Sequence, residues 1–385
     1  MEKKVDWLHR EAKAPAWWTD HYVYFGDARK ITFIPDSSVD LIVTSPPYPM
    51  IEMWDDTFAI LNSAIADTIA AADGPAAFEM MHQELDKVWR HCLRILKPGG
   101  IACINIGDAV RTLKGDFRIY PNHARILSAM QLLGFHALPD ILWRKPTNAP
   151  NKFMGSGMLP AGAYVTYEHE YILIFRKGSK RQFKTKEEKE RRRASAFFWE
   201  ERNVWFSDIW ADLKGTDQEL SAYTGRARSG AFPFELPYRL ICMYSVYGDV
   251  VFDPFLGSGT TTAAAIAACR HSIGIEYFDS LAPVILQNIR QALFLGQTRI
   301  AERYKNHLDF IERRIQTGYR LKHVNCVYHL PVMTAQEKEL VLYIPTKIEE
   351  VSDRHFRVKA EFFNHQDIQN EIQRCLFEKN RLIRC

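Results

Sequence analysis

The stretch DVVFDPFLGSGTT at residues 249–261 decides the fold of this chain. A short apolar run before Asp253 is typical of a strand buried inside a parallel sheet. Two glycines follow, and they let the backbone turn sharply and approach a ligand closely. The helix that we predict from Thr260 then offers free N–H groups at its start. Because ligands of open α/β sheets bind at the carboxyl ends of strands, this turn is a candidate binding site.

Other apolar runs alternate with helical patterns on both sides of this stretch. We predict strands at 22–25, 39–44, 101–106, 137–143, 171–175 and 273–276, and helices at 78–96, 121–133, 236–247 and 280–295. Alternation of strands and helices predicts an α/β fold with a doubly wound, mostly parallel sheet.

The composition of the 385 residues is that of an ordinary globular protein, with 47% apolar and 25% charged residues. The formal net charge is only +4, so a nucleic-acid surface would require an uneven distribution of charge. The seven cysteines are scattered and form no C-x-x-C pair, which disfavours a disulfide framework or a zinc site. No apolar run approaches the ~20 residues of a membrane span. We therefore expect a cytoplasmic protein without a metal site or a membrane span.

The residues around the glycine turn indicate the chemistry of its ligand. Asp253 ends a strand, where it can hold an ammonium or a hydroxyl group, and Glu276 ends the next strand, where it can accept bonds from a ribose diol. No Lys follows Gly259, which disfavours a phosphate-binding loop. An acidic mouth suits a cofactor with a positively charged amino-acid end and no phosphates. The alternative is a tight turn that binds nothing.

A second motif, Thr44-Ser45-Pro46-Pro47-Tyr48, directly follows the apolar run at 39–44. The prolines remove two backbone donors, which leaves a hydroxyl and a carbonyl as rigid acceptors beside an aromatic ring. Such acceptors can hold the hydrogens of a planar amino group and aim its lone pair at an electrophile. A base would have to leave the duplex to reach them. Taken alone, the motif could equally be a strand terminator with a packing tyrosine.

Together the two motifs resemble the amino-methyltransferases of DNA, of the permuted kind called the β class. In that family the catalytic tetrapeptide precedes the cofactor loop, and the target-recognition insert lies between them. The resemblance covers most of residues 21–296. Smaller matches follow in the same order: Gly26-Asp27, Leu96–Gly100 with Gly107-Asp108, Leu142–Pro146, Ala231–Pro233 and Ile275-Glu276.

The resemblance implies a role for each motif residue. The flipped base would be held by the catalytic residues Ser45, Pro46, Pro47 and Tyr48. The cofactor S-adenosyl-L-methionine would be held by Asp27, Phe232, Asp253, Pro254, Phe255, Gly257, Ser258, Gly259, Thr260 and Glu276. A Ser at the first catalytic position resembles the cytosine-N4 members more than most adenine-N6 members, and adenine remains the alternative.

The chain divides into five expected parts. They are an N-terminal arm (1–20), the catalytic half (21–145), a target-recognition insert (146–230, with a core strand at 169–176), the cofactor half (231–300) and an extension of unknown role (301–385).

The insert contains a basic run at 177–193, with nine Lys or Arg against three Glu. This run is either a solvated face or a phosphate-binding surface. The expected DNA contacts are Lys177, Lys180, Arg181, Arg191, Arg192, Arg193, Arg226 and Arg228, with Lys145 and Asn148 as further candidates at the pocket rim. His169 is expected to be structural.

The sequence thus predicts a site-specific DNA methyltransferase, in a restriction-modification or epigenetic setting, whose partner is double-stranded DNA. The resemblance also implies a prokaryotic or phage-encoded protein that is found at the nucleoid. A homodimer is left open. Two alternatives remain: a DNA-binding module of the same fold without catalysis, and an enzyme that methylates a planar amine in RNA or on a protein glutamine. Relatives of the last kind usually carry Asn at the position of Ser45, by resemblance.

Overall fold

A computed structural model describes residues 16–145, 157–213 and 232–364, and the backbone of 154–155. The strands are β1 Trp17–Phe25, β2 Val39–Thr44, β3 Leu96–Ile106, β4 Ala109–Leu113, β5 Asp116–Tyr120, β6 Phe135–Arg144, β7 Met154–Gly155, β8 Ala163–Tyr164, β9 His169–Lys177, β10 Ile209–Trp210, β11 Val250–Asp253, β12 His271–Glu276, β13 His323–Val324, β14 Pro331–Val332, β15 Tyr343–Ser352 and β16 His355–Phe362. The helices are α1 Asp55–Leu61, α2 Ala64–Ala70, α3 Gly74–Ile95, α4 Asn122–Leu132, α5 Lys186–Ala194, α6 Trp199–Trp205, α7 Glu235–Tyr244, α8 Thr260–Ala267 and α9 Ala282–Gln316.

One large sheet has the strand order β10-β6-β9-β3-β2-β11-β12-β1-β16-β15. From β3 to β1, five adjacent strands are parallel, whereas β9 is antiparallel to both of its neighbours. The hairpin of β15 and β16 adds two antiparallel strands at the β1 edge. The predicted doubly wound, mostly parallel sheet is therefore confirmed.

Helices cover both faces of the sheet, and β2 shows why three consecutive residues at its centre, Leu41 to Val43, are apolar. All six of its residues are buried. Ile42 packs in the cluster that includes α3, while Leu41 and Val43 pack in the cluster that includes α7 and α8. Successive side chains of a strand point to opposite faces, so a strand covered on both faces carries consecutive apolar residues rather than an alternating pattern.

The edges of the sheet differ from the sequence-based expectation. β1 begins at Trp17, inside the segment expected to be an arm, because its first residues pair with β16. The helix expected at 280–295 continues to Gln316 as α9. Arg303 of α9 forms a buried, two-pronged ion pair with Glu201 of α6, at 2.5 and 2.9 Å. Parts of the insert and of the extension are thus packed against each other.

Helix α9 lies unusually close to its neighbours at Gly296. A Cβ atom there would lie 2.6 Å from the Cγ of Pro345 in β15 and 2.9 Å from the Cα of Ala267 in α8. Such distances are shorter than a non-bonded contact between two carbon atoms allows, so a side chain at this position would push α9 away from β15 and α8.

We expect Gly296→Val to lower the free energy of unfolding by about 1–3 kcal/mol through overpacking. Urea unfolding would measure the change. Gln291→Val, at an exposed position of the same helix, carries the same β-branched residue without the clash and is the control. Equal losses in the two variants would contradict the close contact.

Candidate active site

A cavity of about 540 Å³ lies at the carboxyl ends of the parallel strands, in the size range of small-molecule sites. Its wall contains Ser45, Pro46, Pro47 and Tyr48, together with every expected cofactor residue except Gly259. Residues from sequence positions more than 200 apart therefore meet in one space. The wall also contains residues that sequence reasoning did not assign, among them Arg29, Trp54, Glu84, Leu85, Val88 and Glu170.

The glycine turn has the conformation that its sequence predicts. Gly257 and Gly259 have φ values of +55° and +87°, which residues other than glycine rarely adopt. Gly259 lies outside the cavity wall but precedes α8 directly, and a Cβ on it would lie 3.3 Å from Ile285. The two glycines are therefore needed for the shape of the turn.

Asp253 holds this turn from the inside. Its carboxylate accepts hydrogen bonds of 2.6 Å from the hydroxyls of Thr44 and Thr261, and one of 3.0 Å from the Phe255 N–H. Burial raises the pKa of Asp253 to about 6, although these bonds act in the opposite direction. A carboxylate has about four acceptor positions, so it can accept one further bond from a ligand.

Glu276 lies across the mouth of the turn. Its carboxylate accepts from the Gly257 N–H at 2.7 Å and the Phe278 N–H at 2.9 Å. Burial raises the pKa of Glu276 to about 7. The Gly26 N–H donates to the backbone carbonyl of Glu276, which brings the loop that carries Asp27 beside it.

Asp27 is held by a residue that the sequence did not single out. Arg29 contacts the Asp27 carboxylate at 2.8 Å and that of Glu84, in α3, at 2.5 Å. Burial raises the pKa of Asp27, but the hydrogen bonds and charge of Arg29 outweigh it and the pKa is lowered overall. The Asp27 side chain is thus fixed as a carboxylate at the cavity wall.

The tetrapeptide forms a second polar network. The Tyr48 hydroxyl lies 3.1 Å from Ser45 Oγ and 2.9 Å from both Glu170 Oε2 and Asn105 Nδ2. Burial and the nearby Glu170 carboxylate raise the pKa of Tyr48 well above its usual range. A Cβ on Gly107 would lie 3.0 Å from the Tyr48 ring, so this glycine leaves room for it. Lys145, expected at the rim, lines the cavity and contacts Glu170 Oε1 at 2.9 Å.

The sequence contains a signal for Glu170, because His169 and Glu170 form a polar pair directly before the apolar run at 171–175. Since β9 is antiparallel to β3, its first residues lie at the carboxyl edge of the parallel strands. The direction of that strand was the missing information.

The same direction carries the basic run away from the cavity. β9 ends at Lys177, whose ammonium donates to the Leu96 carbonyl at 2.7 Å, at the start of β3. Arg181 contacts Asp249, before β11, at 2.6 Å. The expected DNA contacts Lys177 and Arg181 therefore lie at the amino ends of the strands, opposite the cavity.

The other residues of the basic run continue from the amino ends of the strands. Arg192 packs over Phe183 at 4.9 Å and Arg193 contacts Glu339 at 2.8 Å. Lys180 and Arg191 are exposed there as well. The sequence predicted that the run belongs to a target-recognition insert. Because that insert includes β9, the chain crosses from the cavity edge of the sheet to the opposite edge before the run begins. Asn148, Arg226 and Arg228 lie outside the described residues.

Two further searches concern only the described part of the chain. It contains no cluster of His, Cys, Asp or Glu with the geometry of a metal site. Within the same ranges, no helix has the length and apolarity needed to cross a bilayer.

We expect Asp253→Asn to change the pH dependence of stability. The raised pKa means that, between about pH 4 and 6, the folded protein binds a proton at Asp253 that the unfolded chain does not. This carboxyl therefore makes the free energy of unfolding rise as the pH falls through that window, and Asn removes the contribution.

Urea unfolding of both proteins across this window would measure the difference in slope. Asp56→Asn removes an exposed carboxylate and should keep the wild-type slope. Parallel curves for Asp253→Asn and the wild type would show that Asp253 is not buried as described.

Comparisons with known proteins identify the family of this chain. The N6_N4_Mtase family, described as DNA methylase, matches residues 39–286. The Type II methyltransferase M.MthZI of Methanothermobacter thermautotrophicus is 47% identical over 92% of this chain and 98% of its own length. M.MjaI of Methanocaldococcus jannaschii, also a Type II methyltransferase, is 48% identical over 77% of this chain and 97% of its own.

A solved structure gives the same result at the level of the fold. TTHA0409 of Thermus thermophilus, crystallised with S-adenosyl-L-methionine, is 32% identical and aligns with a TM-score of 0.56 over 71% of this chain and 94% of its own. The family match spans well over half of the chain, and it includes both the tetrapeptide and the glycine turn. The chain belongs to the N6_N4_Mtase family of DNA methylases.

Proposed function

We propose that this protein transfers a methyl group from S-adenosyl-L-methionine to the exocyclic amino group of a base flipped out of duplex DNA, and that the base is cytosine, methylated at N4. One observation carries the proposal: Ser45 and Tyr48 share a single cavity with the glycine turn and Glu276. Relatives named Type II methyltransferases and a neighbour that binds S-adenosyl-L-methionine support it.

The cavity wall fits this cofactor. The carboxylates of Asp27 and Glu276 and the bare backbone of Gly257 offer acceptors and close approach, and no Lys follows the glycines to bind a phosphate. When bound, the cofactor supplies an electrophilic methyl group on a positively charged sulfur. Acidic residues in a partly buried site favour that positive charge.

In this proposal Ser45 activates the amino group of the base. The nitrogen of such a group is conjugated with the ring and is a poor nucleophile. An acceptor that draws one of its hydrogens favours an sp³ nitrogen with an available lone pair. The base nitrogen would then bond to the methyl carbon while the carbon–sulfur bond breaks and its electron pair stays on sulfur. The nitrogen, positively charged after the transfer, would lose one proton to water. Tyr48 offers its ring to the face of the base.

Duplex DNA is proposed to approach the carboxyl edge of the sheet, because a flipped base must enter the cavity from there. Lys145 lies in the cavity wall at this edge. Arg226 and Arg228 remain predicted contacts on their sequence alone. The basic run at 177–193 lies at the other edge and is not part of this proposed surface. A homodimer also stays a prediction.

We expect Ser45→Ala and Tyr48→Ala each to lower kcat by about tenfold or more while the Kd for S-adenosyl-L-methionine changes little. Both residues belong to the base-binding part of the cavity, so their loss affects the transition state more than the cofactor. Single-turnover kinetics and calorimetry would separate the two effects. Loss of cofactor binding in either variant would contradict this division of the cavity.

The product identifies the base. Unmethylated duplex DNA is incubated with the protein and methyl-labelled S-adenosyl-L-methionine, digested, and analysed by nucleoside mass spectrometry. We expect labelled N4-methylcytosine, because Ser45 resembles the first catalytic residue of the cytosine-N4 members. Labelled N6-methyladenine would keep the fold and mechanism but refute the base assignment, and RNA in place of DNA is the control substrate.

A further inference from the structure

Glu170 belongs to none of the sequence motifs, yet it forms a hydrogen bond with Tyr48 of the tetrapeptide. It lies at the start of β9 and contributes to the cavity wall. Its Oε2 is 2.9 Å from the Tyr48 hydroxyl and 2.7 Å from Asn105 Nδ2, and its Oε1 is 2.9 Å from Lys145 Nζ. Three elements distant in sequence therefore converge on one carboxylate.

The chemistry of these groups fixes the direction of every hydrogen bond. A carboxylate only accepts, so the single hydroxyl hydrogen of Tyr48 is donated to Glu170. The Tyr48 oxygen is then left to accept, and it does so from Asn105 Nδ2 and from the Ser45 hydroxyl, 3.1 Å away. The Ser45 hydrogen is thereby directed at Tyr48, and the lone pairs of Ser45 Oγ remain for a ligand.

We propose that Glu170 is a positioning residue that, through Tyr48, fixes the Ser45 hydroxyl as a hydrogen-bond acceptor toward the amino group of the base. The inference rests on the proposed function, because it concerns what Ser45 does there. Without this direction the Ser45 hydroxyl could rotate and present its hydrogen to the amino group, which also carries hydrogens. Two donors facing each other would neither bind the amino group nor increase the electron density on its nitrogen.

An amide of the same shape cannot make all the hydrogen bonds of this carboxylate. Lys145 and Asn105 are both donors, and they approach different oxygens of Glu170. A glutamine has one oxygen, so its NH₂ group must face either the Lys145 ammonium or the donors Asn105 and Tyr48. In the second orientation the amide donates to the Tyr48 oxygen, which then donates to Ser45. In that orientation the chain of hydrogen bonds is reversed although the volume of the side chain is unchanged, and in the first orientation two donors, the amide and the Lys145 ammonium, face each other.

The test is a double-mutant cycle with Glu170→Gln and Tyr48→Phe. We expect Glu170→Gln to lower kcat by about 10- to 100-fold, as for one charge-assisted hydrogen bond, with KM for S-adenosyl-L-methionine and DNA within about threefold. Tyr48→Phe removes the link between Glu170 and Ser45. Adding Glu170→Gln to it should therefore change kcat by less than about twofold.

Glu168→Gln is the matched control. Glu168 lies just before β9 and contacts Arg144 at 3.6 Å, outside the cavity wall. The substitution removes the same charge as Glu170→Gln, so kcat should stay within about twofold of the wild type. Full activity of Glu170→Gln would overturn the proposal. So would losses that multiply in the double variant, because Glu170 would then act independently of Tyr48.

A second measurement does not depend on activity. With ¹³C-labelled tyrosine, NMR titration would report the Tyr48 pKa, with Tyr48→Phe identifying the signal. We expect Glu170→Gln to bring this pKa closer to its usual value, and an unchanged pKa would refute the hydrogen bond between Tyr48 and Glu170. If the wild type methylates no DNA but the Tyr48 pKa shifts, the proposed function fails while the hydrogen-bond network stands.

Discussion

The hydrogen bond from the Thr44 hydroxyl to Asp253 is the contact on which the site depends. It is 2.6 Å long, buried, and joins residues 209 positions apart. Thr44 ends β2 and Asp253 ends β11, and these strands are parallel neighbours. Because Ser45 follows one of them and the glycine turn follows the other, this bond sets the tetrapeptide beside the turn. Thr261, in α8, binds the second oxygen of Asp253 and completes the arrangement.

Buried carboxylates give the cavity its electrostatic character. Asp253 and Glu276 are desolvated, and each is supported by backbone N–H groups of the same turn region. Arg29 instead binds Asp27 directly and holds it as a carboxylate. Desolvation opposes the charged form of Asp253 and Glu276, and a positively charged ligand would favour it again. The site is thus organised for a cation rather than for a phosphate.

The antiparallel direction of β9 has two consequences. It places Glu170, the second residue of the strand, in the cavity wall, where Lys145 and Tyr48 contact it. It also places the last residue, Lys177, and the basic run after it at the opposite edge. One strand therefore supplies a polar residue to the cavity and removes from it the most basic segment of the described chain.

The sequence by itself determined the layers of the fold and the two motifs that meet in the cavity wall. Apolar runs such as 39–44 indicate strands covered on both faces, and the glycines at 257 and 259 indicate a turn that only glycine forms readily. These are local properties, set by the periodicity of side chains and by backbone sterics. The tetrapeptide and the turn were recognisable for the same reason, since each lies within a few consecutive residues.

The tertiary structure alone decided which distant residues meet. The Arg29–Glu84 contact, the Glu170 network and the Arg303–Glu201 pair each join different elements. Pairing of β16 with β1 likewise turned part of an expected arm and part of an expected extension into the edge of the sheet. Such contacts depend on the order and direction of strands, and a local pattern of residues specifies neither. For that reason the sequence located the chemistry, whereas only the fold showed what orients it.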